Sequence, residues 1–227
     1  MSLIQIQSRW VQLFQLMDSD PSLTNSRLAG PFVSVPPAAW DASRKNVLYV
    51  GKATHKDWFK EKFVRSPVLE TCRSSTVEFL QEVYDGNENR AFWRFARRLS
   101  EIASGTDQAN LQNLVWSNIA KVGVTSGNPT GRYLAYQHEL AVETLRAEID
   151  EYRPSLVVFV TSSYAEEVIR DLVDDDDATW QKKEDADLPW YRRAQAGLPS
   201  MLWLHHPQRK PLATLDVWLS VAKGLLD

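Results

Sequence analysis

The chain has 227 residues, 44% of them hydrophobic and 24% charged, with a formal net charge of −3. These proportions exclude a disordered polyelectrolyte, and no apolar run reaches the roughly 18 residues that a membrane-spanning helix requires. The one cysteine, Cys72, excludes an internal disulfide framework, a cysteine-bound zinc site and a four-cysteine iron–sulfur cluster.

Leu3, Ile6, Trp10, Leu13, Phe14 and Met17 recur at three- and four-residue steps, which predicts an amphipathic helix ending near Asp18–Pro21. A Pro/Ser-rich loop follows from Asn25 to Pro37, and Val47–Gly51 reads as a buried strand closed by glycine. After basic, aromatic sequence, a short helix is expected over Val77–Tyr84 and a turn over Asp85–Asn89. Phe92, Phe95, Ala96, Leu99 and Ile102 then make one apolar helical face. Leu114–Ile119 is a second strand, followed by a loop from Gly123 to Gly131 and a long helix from Tyr133 to Tyr152 that Pro154 stops. Leu156–Thr161 is the clearest strand, near-continuously apolar as central parallel strands are. A helix over Ala165–Val173, an exposed acidic insertion at 174–190, a strand over Ser200–Leu204 and a last helix through Leu215, Trp218, Ala222 and Leu226 complete the chain.

Strands alternating with helices imply a three-layer α/β/α domain spanning 1–227, with residues 1–40 packed onto it. Functional groups in such sheets gather beyond the carboxyl ends of the strands. Here those ends are Gly51–His55, Asn118–Lys121, Thr161–Tyr164 and His205–Lys210.

Charge is segregated along the chain. Arg44–Arg65 holds seven Lys/Arg against two acids, and Arg90, Arg94, Arg97 and Arg98 form a second basic cluster. Asp174–Asp187 holds seven acids against two lysines. With Lys121, Arg209 and Lys210, the basic segments read as a nucleic-acid face, or else as solvated helix surface. Gly51 opens neither a dinucleotide fingerprint nor a phosphate loop, and a nucleophile elbow is missing. His55, His138, His205 and His206 lack metal-ligand spacing, so no metal or other cofactor is expected. Asn118, at a strand end, offers donor and acceptor to a ligand or caps the following loop. His206, before Pro207, offers a donor to charge on a leaving group or packs as a half-buried histidine.

Taken in order, Val47–His55, Val115–Pro129 and Leu204–Pro211 resemble the uracil-DNA glycosylase superfamily. Trp116-Ser117-Asn118-Ile119-Ala120-Lys121, with Gly127-Asn128-Pro129-Thr130 after it, is similar to that family's Asn-bearing strand and loop. His206-Pro207 resembles the start of its second motif, and the likeness spans about residues 45–220. The resemblance implies a four-stranded parallel sheet between helical layers. It implies that Gly51, Lys52 and Ala53 line a base pocket and that Asn118 meets the edge of an extruded base. Phe59, Phe63 or Phe92 would stack on the base, and His206 would stabilise the departing anion. Gln208-Arg209-Lys210 would contact DNA phosphates, as would Arg94 and Lys121.

The departures are as specific. Where the family carries a carboxylate or amide that positions water, this chain has Lys52 and Ala53, followed by Thr54. Asp57 is the nearest carboxylate and the candidate replacement. The missing cysteines place any likeness with the branch that lacks a cluster. The expected function is therefore a divergent DNA glycosylase, cytoplasmic and without a secretion leader, or a non-catalytic nucleobase-binding module on the same fold. A third reading, a protein-interaction domain, rests on tryptophans such as Trp10, Trp40, Trp180 and Trp190.

Overall fold

A computed structural model describes residues 1–23, 28–54, 68–106, 111–173, 180–182, 190–192, 194–195 and 197–227. Among them the chain forms helices α1 (Leu3–Ser19), α2 (Leu69–Tyr84), α3 (Ala91–Ser104), α4 (Arg132–Ala135), α5 (His138–Tyr152), α6 (Glu166–Leu172) and α7 (Leu212–Leu226). The strands are β1 (Leu28–Ala29), β2 (Val47–Ala53), β3 (Leu114–Ala120), β4 (Gly123–Val124), β5 (Leu156–Phe159), β6 (Gln181–Lys182), β7 (Trp190–Arg192) and β8 (Ser200–Trp203). No helix among the described residues is long and apolar enough to cross a membrane.

The main sheet runs β3-β2-β5-β8-β7-β6. β2 pairs in parallel with β3 and β5, and β5 with β8, while β7 and β6 add to the β8 edge antiparallel. The sheet is thus mixed and six-stranded, where a four-stranded parallel one was expected. Part of the difference lies in the acidic stretch: Gln181–Lys182 pairs with Trp190 and Tyr191 as a sheet edge instead of looping free. Residues 174–179 and 183–189 of that stretch lie outside the described residues.

Strand side chains alternate between two buried cores. Leu48, Val50, Val115, Ile119, Val157, Phe159 and Met201 face α1, α5 and α6. Val47, Tyr49, Leu114, Trp116, Val158 and Leu202 face α3, α7 and the end of α2. Helices therefore cover both faces, as near-continuous apolar strands demand. The tryptophans belong to this packing: Trp10, Trp93, Trp116, Trp203 and Trp218 are buried, and Trp40, Trp180 and Trp190 pack against the first core. None of these eight is exposed; the ninth, Trp58, lies outside the described residues.

Other elements depart locally from expectation. α2 begins at Leu69, eight residues earlier than Val77, because its buried stripe runs through Cys72 and Thr76 before reaching Leu80 and Val83. Thr76 satisfies its hydroxyl by donating to the Val33 carbonyl at 2.8 Å. The helix expected over Tyr133–Tyr152 is divided after Ala135. At the division Gln137 is fully buried, accepts from the Val122 N–H at 2.9 Å and donates to the Val122 carbonyl at 3.0 Å. Segments read as loops supply β1 and β4, which pair with each other.

Lys121 also departs from its expected place on a nucleic-acid face. It is 1% exposed and sits under the sheet on the α5 side. Its ammonium donates to Glu148 Oε1 at 2.7 Å and to Ser117 Oγ, and lies 5.3 Å from the centre of the Phe32 ring. Glu148 accepts further from Ser34 and Ser117 hydroxyls, each at 2.7 Å. Tyr152 donates to the Ser34 carbonyl at 3.2 Å, and Gln7 donates to it at 3.0 Å. Burial pulls the Lys121 pKa down while the Glu148 carboxylate holds it up, the first effect being larger. The misassignment has a simple cause: a lysine in sequence looks cationic and exposed until its partner, 27 residues away, is known.

Removing one member of such a pair leaves an uncompensated buried charge. Lys121→Met is expected to cost about 3–5 kcal/mol in urea unfolding. The double change Lys121→Met with Glu148→Leu should recover most of that loss. Equal midpoints for the single variant and the parent would contradict the pairing.

Candidate functional site

β2 lies between β3 and β5, and the helices that follow these strands leave to opposite faces: α2 and α3 to one, α5 and α6 to the other. A crevice opens at such a switch point, beyond the carboxyl ends of the strands. At that edge the parallel register places Gly51 directly opposite Asn118.

Gly51 is required there by space. A Cβ at this position would lie 2.5 Å from Asn118 Oδ1 and 3.1 Å from Phe92 Cε2. The missing side chain admits both groups to the strand surface. Asn118 is 2% exposed; its Oδ1 accepts from Trp116 Nε1 at 3.3 Å, and its Nδ2 is buried without a hydrogen-bond partner. An orphan buried amide in a native fold calls for an explanation, and a ligand acceptor is one.

Phe92 stands in the first turn of α3, where the Tyr49 hydroxyl donates to its carbonyl at 3.1 Å. Its ring packs 4.5 Å from that of Tyr49 and lies near-parallel to His206, with centroids 6.0 Å apart and planes at 24°. His206 follows β8. Its backbone N–H donates to Ser162 Oγ at 3.2 Å, and its Nδ1 accepts from the Gln208 N–H at 3.2 Å. That bond leaves the proton of the neutral ring on Nε2. Burial, and then the charge of Lys52, lower its pKa from 6.5 to about 4. The ring is therefore a neutral N–H donor at physiological pH. Ser162 (φ 54°) and Arg209 (φ 60°) adopt left-handed backbone, as do Leu111, Arg153 and Ala165 elsewhere among the described residues.

Lys52 and Ala53 are half-buried at the end of β2, and burial lowers the Lys52 pKa. Thr54 is buried and donates to the Lys121 carbonyl at 3.2 Å, tying the strand end to the turn after β3. Gly51, Asn118, Phe92 and His206 thus come together, with Lys52 close enough to act on the histidine. Asp57, Phe59 and Phe63 lie outside the described residues. Trp116 and Ser162 went unassigned in the sequence. The signal for Trp116 is its spacing of two from Asn118, which puts both side chains on one face of the strand; the role of Ser162 depends on a contact 44 residues away.

The basic segments are less available than their count suggests. Arg44 pairs with Asp41, Lys45 with Asp227, Arg90 with Glu88 and Arg98 with Asp216. Arg97 donates to the Val83 and Glu88 carbonyls, and the exposed Arg94 to that of Asn89 at 2.6 Å. Arg209 is exposed and Lys210 half-exposed, and neither has an ion-pair partner among the described residues. Among the described residues, no cluster of three or more His, Cys, Asp or Glu is arranged to hold a metal ion. No protein-family model matches the chain, and no curated protein matches it.

Two outcomes follow from this geometry. Gly51→Ala should cost about 1–3 kcal/mol, since the atom it meets ends a rotatable amide, and should turn Asn118 and Phe92 out of place. A crystal structure of the variant with both unmoved would contradict the close approach. Because His206 binds a proton more weakly folded than unfolded, it lowers stability as pH falls from about 6.5 toward 4, and the loss is complete below 4. His206→Gln should flatten that part of the stability profile, and Lys52→Met should raise the NMR-measured pKa of His206.

Proposed function

We propose that this chain is a uracil-DNA glycosylase-like protein that holds an extruded nucleobase of DNA at the ends of β2, β3 and β8. The parallel core β3-β2-β5-β8 is read as the sheet of that fold, and hydrolysis of the N-glycosidic bond as the chemistry of the site. One observation carries the reading: a buried, unpartnered Asn118 amide beside the side-chain-free backbone of Gly51, an aromatic ring and a neutral histidine. The amide is suited to a base edge, Phe92 to a base face, and His206 to an oxygen on the ring.

In the reaction the bond from C1′ to the base nitrogen breaks with its electron pair going to the base. Water adds to C1′ and releases a proton, leaving an abasic sugar. The base oxygen gains negative charge as the bond lengthens, and His206 Nε2–H stabilises it without itself carrying charge; donors placed this way contribute about 10²–10³-fold to a rate. Lys52 adds a positive charge on the same side.

A second reading is favoured by the residues after Gly51. The sugar becomes cationic in the transition state, and a carboxylate nearby would stabilise it and orient water. Lys52 is a cation and Ala53 has no polar group, so both oppose or omit that help. On this reading the protein binds the base and leaves the bond intact.

Incubation of excess protein with single- and double-stranded uracil-containing DNA, followed by alkaline cleavage of abasic sites, separates the two. The first reading expects slow excision that falls by 10²-fold or more in His206→Ala, and likewise in Asn118→Ala, and that Ala53→Asp accelerates. Base-dependent DNA binding with no excision, even in Ala53→Asp, supports the second. Absence of both excision and base-dependent binding sinks both.

A further inference from the structure

Asn118 and Trp116 occupy alternate positions of β3 and share the face turned to Phe92. Among the described residues the rings of Phe32, Trp93, Phe79 and Phe92 pack around Trp116, with centroids 4.6, 5.0, 5.5 and 6.3 Å away. In that cage its indole N–H points at the Asn118 amide, 3.3 Å from Oδ1. An indole N–H donates and never accepts. Turning the amide over would set its NH₂ group against that donor, so one of the two orientations is excluded. The other puts Nδ2 at the position without a partner.

We infer that Trp116 is a positioning residue for base selection: it locks Asn118 so that the side chain presents a hydrogen-bond donor to the base edge. The inference rests on the nucleobase-binding reading and adds a discrimination to it. A base with a carbonyl oxygen facing Nδ2 satisfies the orphan donor. A base with an exocyclic amino group there sets donor against donor and leaves two buried groups unpaired. Without the indole N–H the amide turns over freely, and the site accepts either class. Gly51 contributes by leaving Oδ1 room against the strand, so that the locked orientation carries no steric penalty.

The test uses single-stranded oligoadenylate with one central 2′-fluorinated deoxyuridine or deoxycytidine, the fluorine keeping the glycosidic bond intact. The full-length protein should bind the uridine strand about tenfold more tightly or better, in line with base-edge hydrogen bonding elsewhere. Trp116→Phe should shrink that preference to within about threefold, partly by gaining cytidine affinity, which a mere loss of packing does not produce. Benzothienylalanine at position 116 keeps the two-ring shape and removes only the N–H, and should act the same way if the Phe variant folds poorly. Separately, the Trp116 indole proton resonance should move upfield in Asn118→Ala. An undiminished preference in both position-116 variants overturns the inference, as does an unmoved indole resonance. If the parent protein binds neither strand better than plain oligoadenylate, the nucleobase reading fails and base selection fails with it, while the indole resonance still decides the lock.

Discussion

The register between β2 and β3 is the constraint on which both halves of this structure depend. Pairing Gly51 with Asn118 also pairs Val50 with Ser117, so one face of the ladder receives a backbone without a side chain beside an amide, and the other receives a hydroxyl aimed at a buried ion pair. A slip of one residue would exchange the faces. Asn118 would enter the core under α5, and Ser117 would replace it beside Phe92. The Lys121–Glu148 pair opposes such a slip, because its geometry accepts Ser117 and no neighbour. A polar network in the interior thereby protects the arrangement of a crevice on the opposite side of the sheet.

Electrostatics at the crevice differs from what the net composition suggests. The formal charge of −3 and the basic clusters both turn out to be weak guides, since most arginines in those clusters spend their charge on nearby carboxylates or carbonyls. What distinguishes the site is a histidine kept neutral by burial and by a lysine, with Arg209 and Lys210 just beyond it. On the proposed reading, the neutral histidine would meet the base and the two cations the anionic chain that carries it.

Much of the fold was legible because Val47–Val50, Leu156–Phe159 and Met201–Leu204 are uninterrupted apolar runs and Leu114–Ile119 is one broken only by Ser117 and Asn118, each long enough for a strand and too short for a helix. What escaped was whatever depends on a distant partner. The first half of α2 was hidden because a cysteine and a threonine occupy its buried stripe, where the Thr76 hydroxyl is satisfied by the Val33 and Cys72 carbonyls. Gln137 fits a helical pattern and reveals the break only through Val122. At the site, Gly51, Asn118 and His206 were legible from their places at strand ends, and Phe92 as one of three aromatics. The part played by Trp116 was not, because a tryptophan in a strand reads as bulk until the direction of its N–H is known.

The polar network and α1 also bear on how the chain is made. α1 is synthesised well before its partners: Trp10 donates to Thr144, and Gln7 joins a network completed by Glu148 and Tyr152, more than 130 residues later. At ordinary elongation rates the apolar face of the nascent α1 waits on the order of ten seconds for its partners. During that interval Leu3, Ile6, Trp10, Phe14 and Met17 have no α5 to pack against. Truncation before residue 138 removes α5, and with it the Thr144 acceptor of Trp10 and the Glu148 and Tyr152 members of the network that Gln7 joins.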